Sequence, residues 1–257
     1  SIATTTISVP LFEEQEKISK FMIAINNMIK EQESSISILE TYNKGLISQI
    51  FKQEIRFKDD NGNEFSDWNF LPITEIATTY IGLVTTMTEH YTSNGVPLIR
   101  NSDIKQNKFV FKEPIYLDNE FARQNKTRQH KIGDIITVHT GDVGTSAIID
   151  QSLNGSIGFA TIVTRIKNIY KNSPQYICMY YNSNIYKNII FNMITGDGRN
   201  NLNMKDFNKV KIPIPCFEEQ EKIANFLSSL DNVLQEEKNY LEYLKTIKKG
   251  LLQQMLI

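Results

Sequence analysis

The stretch that decides the fold is VPLFEEQEKI at residues 9–18, which returns as IPCFEEQEKI at residues 214–223. When extended to residues 9–52 and 214–257, the two copies align without a gap, 205 positions apart, with 17 identities in 44 positions. A solenoid needs at least about three repeats to bury its core, so two copies do not make one. The repeat therefore predicts a pair of similar structural elements related by two-fold symmetry, with a different domain between them.

Each copy has the pattern of a long helix with a narrow apolar seam. Apolar residues recur at alternating steps of four and three over residues 18–50 and 223–255, which is the coiled-coil period. Pro10 and Pro215 precede the helices, and a run of carboxylates fills each first turn, as suits a helix start. We expect an intramolecular antiparallel coiled coil. The alternative is two amphipathic helices that each lie on the central domain.

Two polar positions interrupt both seams and predict the register of the pairing. Gln32 and Glu237 share one of these positions in the repeat, and Asn43 and Lys248 share the other. An antiparallel arrangement that sets Gln32 opposite Lys248, and Asn43 opposite Glu237, also aligns the apolar layers. Buried polar positions often fix the register of a coiled coil, so we expect these four residues to do so.

The composition indicates a globular protein of a reducing cytoplasm. Of the 257 residues, 40% are hydrophobic and 22% are charged, which is typical of globular domains. No apolar run approaches the ~18 residues of a membrane helix, and the first residues do not resemble a signal peptide. The two cysteines, Cys178 and Cys216, suit a reducing compartment. Neither they nor the three histidines have metal-site spacing.

The charge of the chain is unevenly distributed. The net charge is −1, yet residues 69–213 carry 16 basic and 11 acidic side chains. The segments 9–68 and 214–257 carry net charges of −4 and −2. A basic domain between acidic helices is a mild signal for a polyanionic partner.

We expect an α+β protein in which one globular domain is flanked by two long helices. The expected segments are the tail of a preceding domain at 1–8, a helix at 9–52, the globular domain at 53–213 and a helix at 214–257. Val-, Ile- and Thr-rich runs predict strands at 79–84, 96–100, 109–111, 135–138, 145–149 and 160–166. Helices are expected at 174–194 and near 203–206.

The motifs of common enzyme classes are missing. The sequence has no nucleotide-binding P-loop, no G-x-G-x-x-G, no G-x-S-x-G and no amino-methyltransferase tetrapeptide. Asp103-Ile104-Lys105 has the D-x-K spelling of a metal nuclease, but no clear partner carboxylate precedes it. We therefore predict no catalytic residues, no metal and no cofactor in this chain.

Four polar loops are candidates for binding DNA. Arg and Lys neutralise phosphates, while Asn, Gln and Arg can hydrogen-bond to base edges. The densest loop, residues 123–131, has four permanent positive charges and no acid; the alternative interpretation is a solvated basic loop. The predicted DNA-binding residues are Arg100, Asn101, Lys105, Arg123, Lys126, Arg128, Lys131, His139, Thr140, Asp142, Arg199 and Asn200.

Taken together, these motifs resemble the specificity subunit of bacterial type I restriction–modification enzymes. The resemblance rests first on the doubled P-x-F-E-E-Q-E-K-I and on the Lys-Gly-Leu near the end of each helix. It also rests on R-F…G…F…D-W at 56–68, V-P-L-I-R…D-I at 96–104, G-D-I-I at 133–136 and N-L…I-P-I-P at 201–215. It covers nearly the whole chain.

The resemblance implies two target-recognition domains, each followed by one of the repeated helices. The helices would pair antiparallel and present the two domains in inverted orientation to a bipartite double-stranded DNA target. They would also bind methyltransferase subunits, which carry S-adenosylmethionine, and restriction subunits would join the complex. The specificity subunit itself would be non-catalytic.

The sequence departs from the family pattern in having one recognition domain, with residues 1–8 as the remnant of another. Either the sequence or the gene would then be truncated. We expect a second domain from a homodimer or from a longer gene; the alternative is a monomer that binds a half-site weakly. A rival function is a non-catalytic coiled-coil adaptor whose central domain binds protein, without salt-dependent DNA affinity. A cryptic enzyme is disfavoured by the missing motifs.

Overall fold

The computed structural model describes residues 9–194 and 201–255, and it confirms the α+β class. The helices are α1 (Phe12–Phe51), α2 (Ile73–Ile76), α3 (Asn119–Gln124), α4 (Pro174–Asn182), α5 (Asn184–Met193), α6 (Met204–Lys209) and α7 (Phe217–Met255). The strands are β1 (Asn69–Pro72), β2 (Ala77–Ile81), β3 (Tyr91–Thr92), β4 (Val96–Arg100), β5 (Ile104–Lys105), β6 (Lys108–Phe109), β7 (Ile115–Leu117), β8 (Ile135–Thr137), β9 (Ser146–Ile148), β10 (Ile157–Phe159), β11 (Ile162–Ile166) and β12 (Lys211–Ile214). Residues 1–8, the expected remnant, lie outside the described residues.

Two four-stranded sheets form the body of the central domain. One has the order β10-β4-β7-β3, with β10 parallel to β4, and the other has the antiparallel order β2-β11-β8-β9. β1 pairs antiparallel with β12, so Asn69 lies opposite Ile214. This pairing joins the chain that enters the domain to the chain that leaves it. Buried residues such as Ile99, Ile136 and Val163 form one core cluster.

The predicted helix over 174–194 is two helices, α4 and α5, because Ser183 interrupts it. Ser183 has an extended backbone, with φ −71° and ψ 150°. Its hydroxyl donates to the Tyr180 carbonyl (2.6 Å) and accepts from the Tyr186 amide (3.2 Å). A serine hydroxyl that binds main-chain groups in this way closes one helix and caps the next.

The outer parts of the long helices form a compact unit that runs to Asn43 in α1 and from Ser228 in α7. Glu33 pairs with Lys245 at 3.1 Å, and Glu40 pairs with Lys238 at 2.6 Å. Residue numbers rise along α1 as they fall along α7, so the two helices are antiparallel. The predicted intramolecular pairing is confirmed, and seam residues of both helices are buried, namely Ile25, Ile36, Leu241 and Leu244.

Gln32 has a hydrogen-bond partner other than the predicted Lys248, and the predicted pairing of Asn43 with Glu237 stays a prediction. The side-chain amide of Gln32 donates to the carboxylate of Glu237 and to its main-chain carbonyl (3.1 Å). Asn43 is buried, and among the described residues its side-chain oxygen accepts no hydrogen bond. The prediction aligned seam positions by number alone, and a single sequence does not show which side chains meet across a helix pair.

The second compact unit runs from Lys44 to Leu227 and therefore includes the first turns of α7, beyond the expected domain of 53–213. Glu219, in the first turn of α7, is fully buried. Its carboxylate accepts hydrogen bonds from Arg56 Nε (2.8 Å), Arg56 Nη2 (2.9 Å) and Trp68 Nε1 (2.8 Å). We call Arg56 and Trp68 the clip, because together they fasten the segment after α1 to the start of α7.

Candidate nucleic-acid interface

Two of the loops that the sequence singled out meet at Asn101, which also bonds to the turn before β11. Its side-chain oxygen accepts from the main-chain amide of His139 at 2.8 Å, and its amide donates to the carbonyl of Ala160 at 3.1 Å. Ala160 has a left-handed backbone, with φ 48°. Asn101 therefore fixes the loop after β4, the loop after β8 and the turn before β11 in one arrangement.

The loop at 139–142 also meets the segment that follows α5. Thr140 forms an antiparallel bridge with Asn201, and the carbonyl of His139 accepts from the amide of Leu202 at 3.1 Å. The predicted residues Arg199 and Asn200 lie outside the described residues, directly before Asn201. Three of the four predicted loops are thus neighbours, although about 100 residues separate Asn101 from Asn201 in the sequence.

Arg100 is held by protein groups. Its guanidinium makes two hydrogen bonds of 2.9 Å to the buried carboxylate of Asp103 and a third, also 2.9 Å, to the carbonyl of Glu113. The hydrogen bond to Asp103 raises the pKa of Arg100. Asp103, the acidic residue of the D-x-K tripeptide, is therefore paired with Arg100 and has a structural role. A contact of Arg100 with DNA stays a prediction, and its geometry supports a role in shaping the loop.

The basic stretch 123–131 is more ordered than a simple loop. It starts in α3, which Asp118 caps by accepting from the Phe121 amide at 2.7 Å, and it continues as a 3-10 turn at Lys126–Arg128. The side chains of Arg123, Lys126 and Lys131 are exposed, and so is that of Lys105 in β5. These four cations can reach a phosphate backbone.

Arg128 and His130 have partners within the domain. Arg128 is exposed, donates to the carbonyl of Ile81 at 2.9 Å, and lies 5.6 Å from the ring centre of Tyr80. His130 is buried, and burial lowers its pKa to about 4. Its Nδ1 is 2.9 Å from the hydroxyl of Ser156. His130 is therefore neutral at pH 7 and adds no charge to the basic stretch.

The tip of the 139–142 loop presents short polar side chains. Thr140 and Asp142 are exposed, and Asp142 accepts from the hydroxyl of Thr145 at 2.7 Å. Burial lowers the pKa of the half-buried His139, which keeps its ring neutral at pH 7. A neutral imidazole offers one donor and one acceptor, as base edges require.

Sequence reasoning missed two residues of α5 that lie beside this tip. Lys187 donates to the hydroxyl of Thr145 at 2.8 Å and lies 3.9 Å from the Asp142 carboxylate. Phe191, 68% exposed, lines a groove together with Val143. Lys187 and Phe191 are four residues apart on a predicted helix, which places them on one face. This spacing could have identified the two residues as neighbours from the sequence.

Within residues 9–194 and 201–255, no group of three or more His, Cys, Asp or Glu side chains could hold a metal ion. In the same residues, no helix has the length and the hydropathy needed to cross a bilayer.

Comparison with known proteins yields one family and several structures of the same architecture. Residues 65–246 match the family model described as the type I restriction modification DNA specificity domain. The type I restriction enzyme MjaVIII specificity subunit of Methanocaldococcus jannaschii is 22% identical over 259 residues, covering 97% of this chain and 61% of that protein.

Two solved structures are similar in fold. An S subunit of a type I restriction–modification system from M. genitalium superposes with a TM-score of 0.62 at 16% identity, covering 96% of this chain and 62% of that one. The HsdS subunit of Thermoanaerobacter tengcongensis gives a TM-score of 0.58 at 16% identity, and the match covers 97% of this chain and 60% of that one. The chain thus spans about three fifths of the length of these proteins.

Proposed function

The chain belongs to the type I restriction modification DNA specificity domain family, and from that premise we propose that it reads one half of a bipartite double-stranded DNA target. The observation that carries this proposal is that Asn101 ties the loop after β4 to the loop after β8, whose Thr140 in turn forms a bridge with Asn201. Sequence is read by groups that meet base edges, and a rigid cluster of loops at one end of a sheet can hold such groups in register.

The proposed division of labour follows the chemistry of the side chains. The exposed cations Arg123, Lys126 and Lys131 neutralise phosphates, which fixes position on the duplex without reading sequence. His139, Thr140 and Asp142 supply donors and acceptors for base edges. Arg100 and Asn101 act mainly by holding the loops, because their polar groups already have protein partners.

In this proposal the chain has no catalytic residue and no cofactor. S-adenosylmethionine would be bound by the methyltransferase subunits, and DNA cleavage would belong to the restriction subunits. The paired helices support such partners because large apolar side chains remain exposed on them, among them Ile38 (67%), Tyr42 (59%) and Tyr243 (60%). Exposed apolar patches of this kind mark protein interfaces.

The proposal includes a second recognition domain, since a bipartite target has two halves. A homodimer would place two identical domains about a two-fold axis, and that symmetry would demand an interrupted palindrome in the DNA. A domain of different sequence would give an asymmetric target. The mass of the complex in solution, measured with and without methyltransferase subunits, distinguishes these arrangements from a monomer.

Binding to the cognate duplex tests the proposal. Methylome sequencing of cells that express this chain with its methyltransferase would give the target. Fluorescence anisotropy at several salt concentrations would then compare wild type with a double variant, Arg123→Ala with Lys126→Ala. We expect weaker binding and a salt slope lower by up to about one unit for each lost phosphate contact.

The matched control is Lys171→Ala, which removes an exposed cation of the same domain outside the four loops. A protein-binding adaptor would show no salt-dependent affinity for the duplex in any variant, and that result would overturn the proposal. Thr140→Ala and Asp142→Ala should instead relax the preference at single base pairs, at a cost of about 1–3 kcal/mol each.

A further inference from the structure

A chain of hydrogen bonds runs from α5 to the tip of the 139–142 loop. The ammonium group of Lys187 donates to the hydroxyl of Thr145 at 2.8 Å, and this hydroxyl donates to one carboxylate oxygen of Asp142 at 2.7 Å. An ammonium group has no lone pair, so Thr145 accepts from Lys187 and gives its own proton to Asp142. The chemistry of the groups therefore fixes the direction of both bonds.

The backbone of the loop holds Asp142 in one place. The amide of Val138 donates to the carbonyl of Thr145 at 2.8 Å, and the amide of Thr145 donates to the carbonyl of Asp142 at 3.2 Å. Gly141 and Gly144, on either side of the tip, have φ values of 101° and 88°, a conformation that favours glycine. Thr145 is buried, so the hydroxyl that orients the carboxylate is packed inside the domain.

The two ends of the hydrogen-bond chain differ in exposure. The side chain of Asp142 is 75% exposed, whereas that of Lys187 is 30% exposed. The second carboxylate oxygen of Asp142 lies 3.9 Å from the Lys187 ammonium, which is longer than a hydrogen bond. A carboxylate has about four acceptor positions. Asp142 can therefore accept from a further donor while Thr145 and Lys187 hold its orientation.

We propose that Asp142 reads the amino group of a cytosine in the major groove, and that Thr145 and Lys187 are its positioning residues. This inference deepens the proposed function, on which it rests for double-stranded DNA as the ligand. It names the base that the loop selects, and it adds two residues that act through Asp142.

The chemistry of base edges selects cytosine. An ionised carboxylate accepts hydrogen bonds and donates none, so the N7 and O6 acceptors of guanine and the O4 acceptor of thymine repel it. Adenine offers an amino group, but its N7 acceptor lies beside that group and faces the second carboxylate oxygen. Cytosine offers its N4 amino group without a neighbouring acceptor. A carboxylate held in one orientation therefore discriminates in favour of cytosine.

Single base changes in the cognate duplex test the contact. Anisotropy titrations of the intact chain would compare the duplex found by methylome sequencing with duplexes in which one base pair is changed. We expect one cytosine whose replacement weakens binding at least about fivefold. Its 2-pyrimidinone analogue, which lacks the N4 amino group, should weaken binding as much. This measurement uses the unaltered protein and so does not depend on the folding of a variant.

An exchange of acceptor for amide should change the base that is selected. Asp142→Asn keeps the size of the side chain and adds a donor beside the acceptor. Because an asparagine amide can pair with N6 and N7 of adenine, we expect the preference at this position to move from cytosine to adenine. Unchanged preference for cytosine in this variant would refute the contact.

Two further variants test the positioning residues. Thr145→Val removes the hydroxyl and keeps the shape, and Lys187→Met removes the ammonium group and keeps the length. Each should reduce the preference at that cytosine by about fivefold, because one hydrogen bond that orients Asp142 is lost. The preferences at other positions and the salt slope should stay as in wild type. Thr145→Ser, which keeps the hydroxyl, should retain the preference for cytosine.

The matched control is Lys126→Met, since it removes an exposed lysine to which the proposed function gives a phosphate contact. It should weaken binding to every duplex alike and lower the salt slope by about one unit, with the preference for cytosine unchanged. The same signature in Lys187→Met would show a phosphate contact and refute the positioning role.

The outcomes also separate this inference from the proposed function. Equal affinity of the intact chain for all duplexes of one length would refute the proposed function. A sequence preference without any sensitive C·G base pair in the half-site would refute the cytosine contact alone.

Discussion

The starts of α1 and α7 have nearly the same sequence and opposite surroundings. Glu219 is fully buried beneath Arg56 and Trp68, while its counterpart Glu14 is exposed. Both helices nevertheless begin at the equivalent phenylalanine, Phe12 or Phe217. The motif therefore determines where the helix starts, and the segments that pack on the motif determine what each side chain contributes to stability.

The largest difference between the two copies is expected at the buried carboxylate. Glu219→Ala would leave the Arg56 guanidinium and the Trp68 N–H without their partner, and we expect a loss of about 3 kcal/mol in the free energy of unfolding. Glu14→Ala removes an exposed group and should change it by less than about 0.5 kcal/mol. Urea denaturation measures both, and equal effects would contradict the comparison.

Gln220, the residue after Glu219, should give the second largest difference between the two copies of the motif. Gln220→Ala would strand the Ser173 N–H and the Lys171 carbonyl in a buried site, at a cost of about 2 kcal/mol. Gln15→Ala removes only the hydrogen bond to the Pro10 carbonyl, which is exposed to water. We therefore expect a loss of about 0.5 kcal/mol in the free energy of unfolding. Thermal unfolding of the pair, each against wild type, would test the ratio. A cost for Gln15→Ala as large as that for Gln220→Ala would be evidence of a cover on α1.

Trp68→Phe isolates one part of the clip. The ring stays large enough to pack against Tyr176, which it meets edge-on at 6.4 Å, while the hydrogen bond to Glu219 is lost. Because Arg56 still neutralises the carboxylate, we expect a loss of about 1.5 kcal/mol. In the Glu219→Ala background the same change should cost less, so a double-mutant cycle that showed full additivity would contradict a direct bond.

The smallest difference is expected at the lysine of the motif. Lys222 reaches the carboxylate of Asp60 at 2.6 Å and the carbonyl of Lys58 at 2.9 Å, but Asp60 is largely exposed. Exposed ion pairs contribute little to stability. Lys222→Ala should therefore lower the free energy of unfolding by about 0.5 kcal/mol, and high salt should abolish this difference. The counterpart Lys17→Ala should have no measurable effect under either condition.

The parts of the fold that the sequence predicted are those set by local pattern. The repeat predicted two long antiparallel helices, and runs of β-branched residues predicted β4, β8 and β11. β3 and β10 were missed because Tyr91-Thr92 and Ile157-Gly158-Phe159 are short and lack the run of β-branched residues that marks the equally short β8. The break at Ser183 was missed because a serine is also common inside helices.

The candidate site was predictable in its loops and not in the roles of its residues. Nothing in the sequence distinguished Arg100, which is paired with the buried Asp103, from Lys126, which is exposed. The clip was equally hidden: Arg56 and Trp68 meet Glu219 across more than 150 positions of the chain. Such long-range partners depend on tertiary packing, which one sequence does not reveal.

The bonds made by Asn101 have a consequence for engineering. Both of its side-chain bonds go to main-chain atoms, those of His139 and Ala160. A main-chain amide or carbonyl is present whatever side chain a position carries. The two hydrogen bonds of Asn101 therefore do not depend on which residues occupy positions 140–142 of the neighbouring loop. A library that randomises residues 140–142 and retains Asn101 should therefore keep its loops in place while its members diverge in what they select. A library that randomises Asn101 should instead yield misfolded members regardless of the tip.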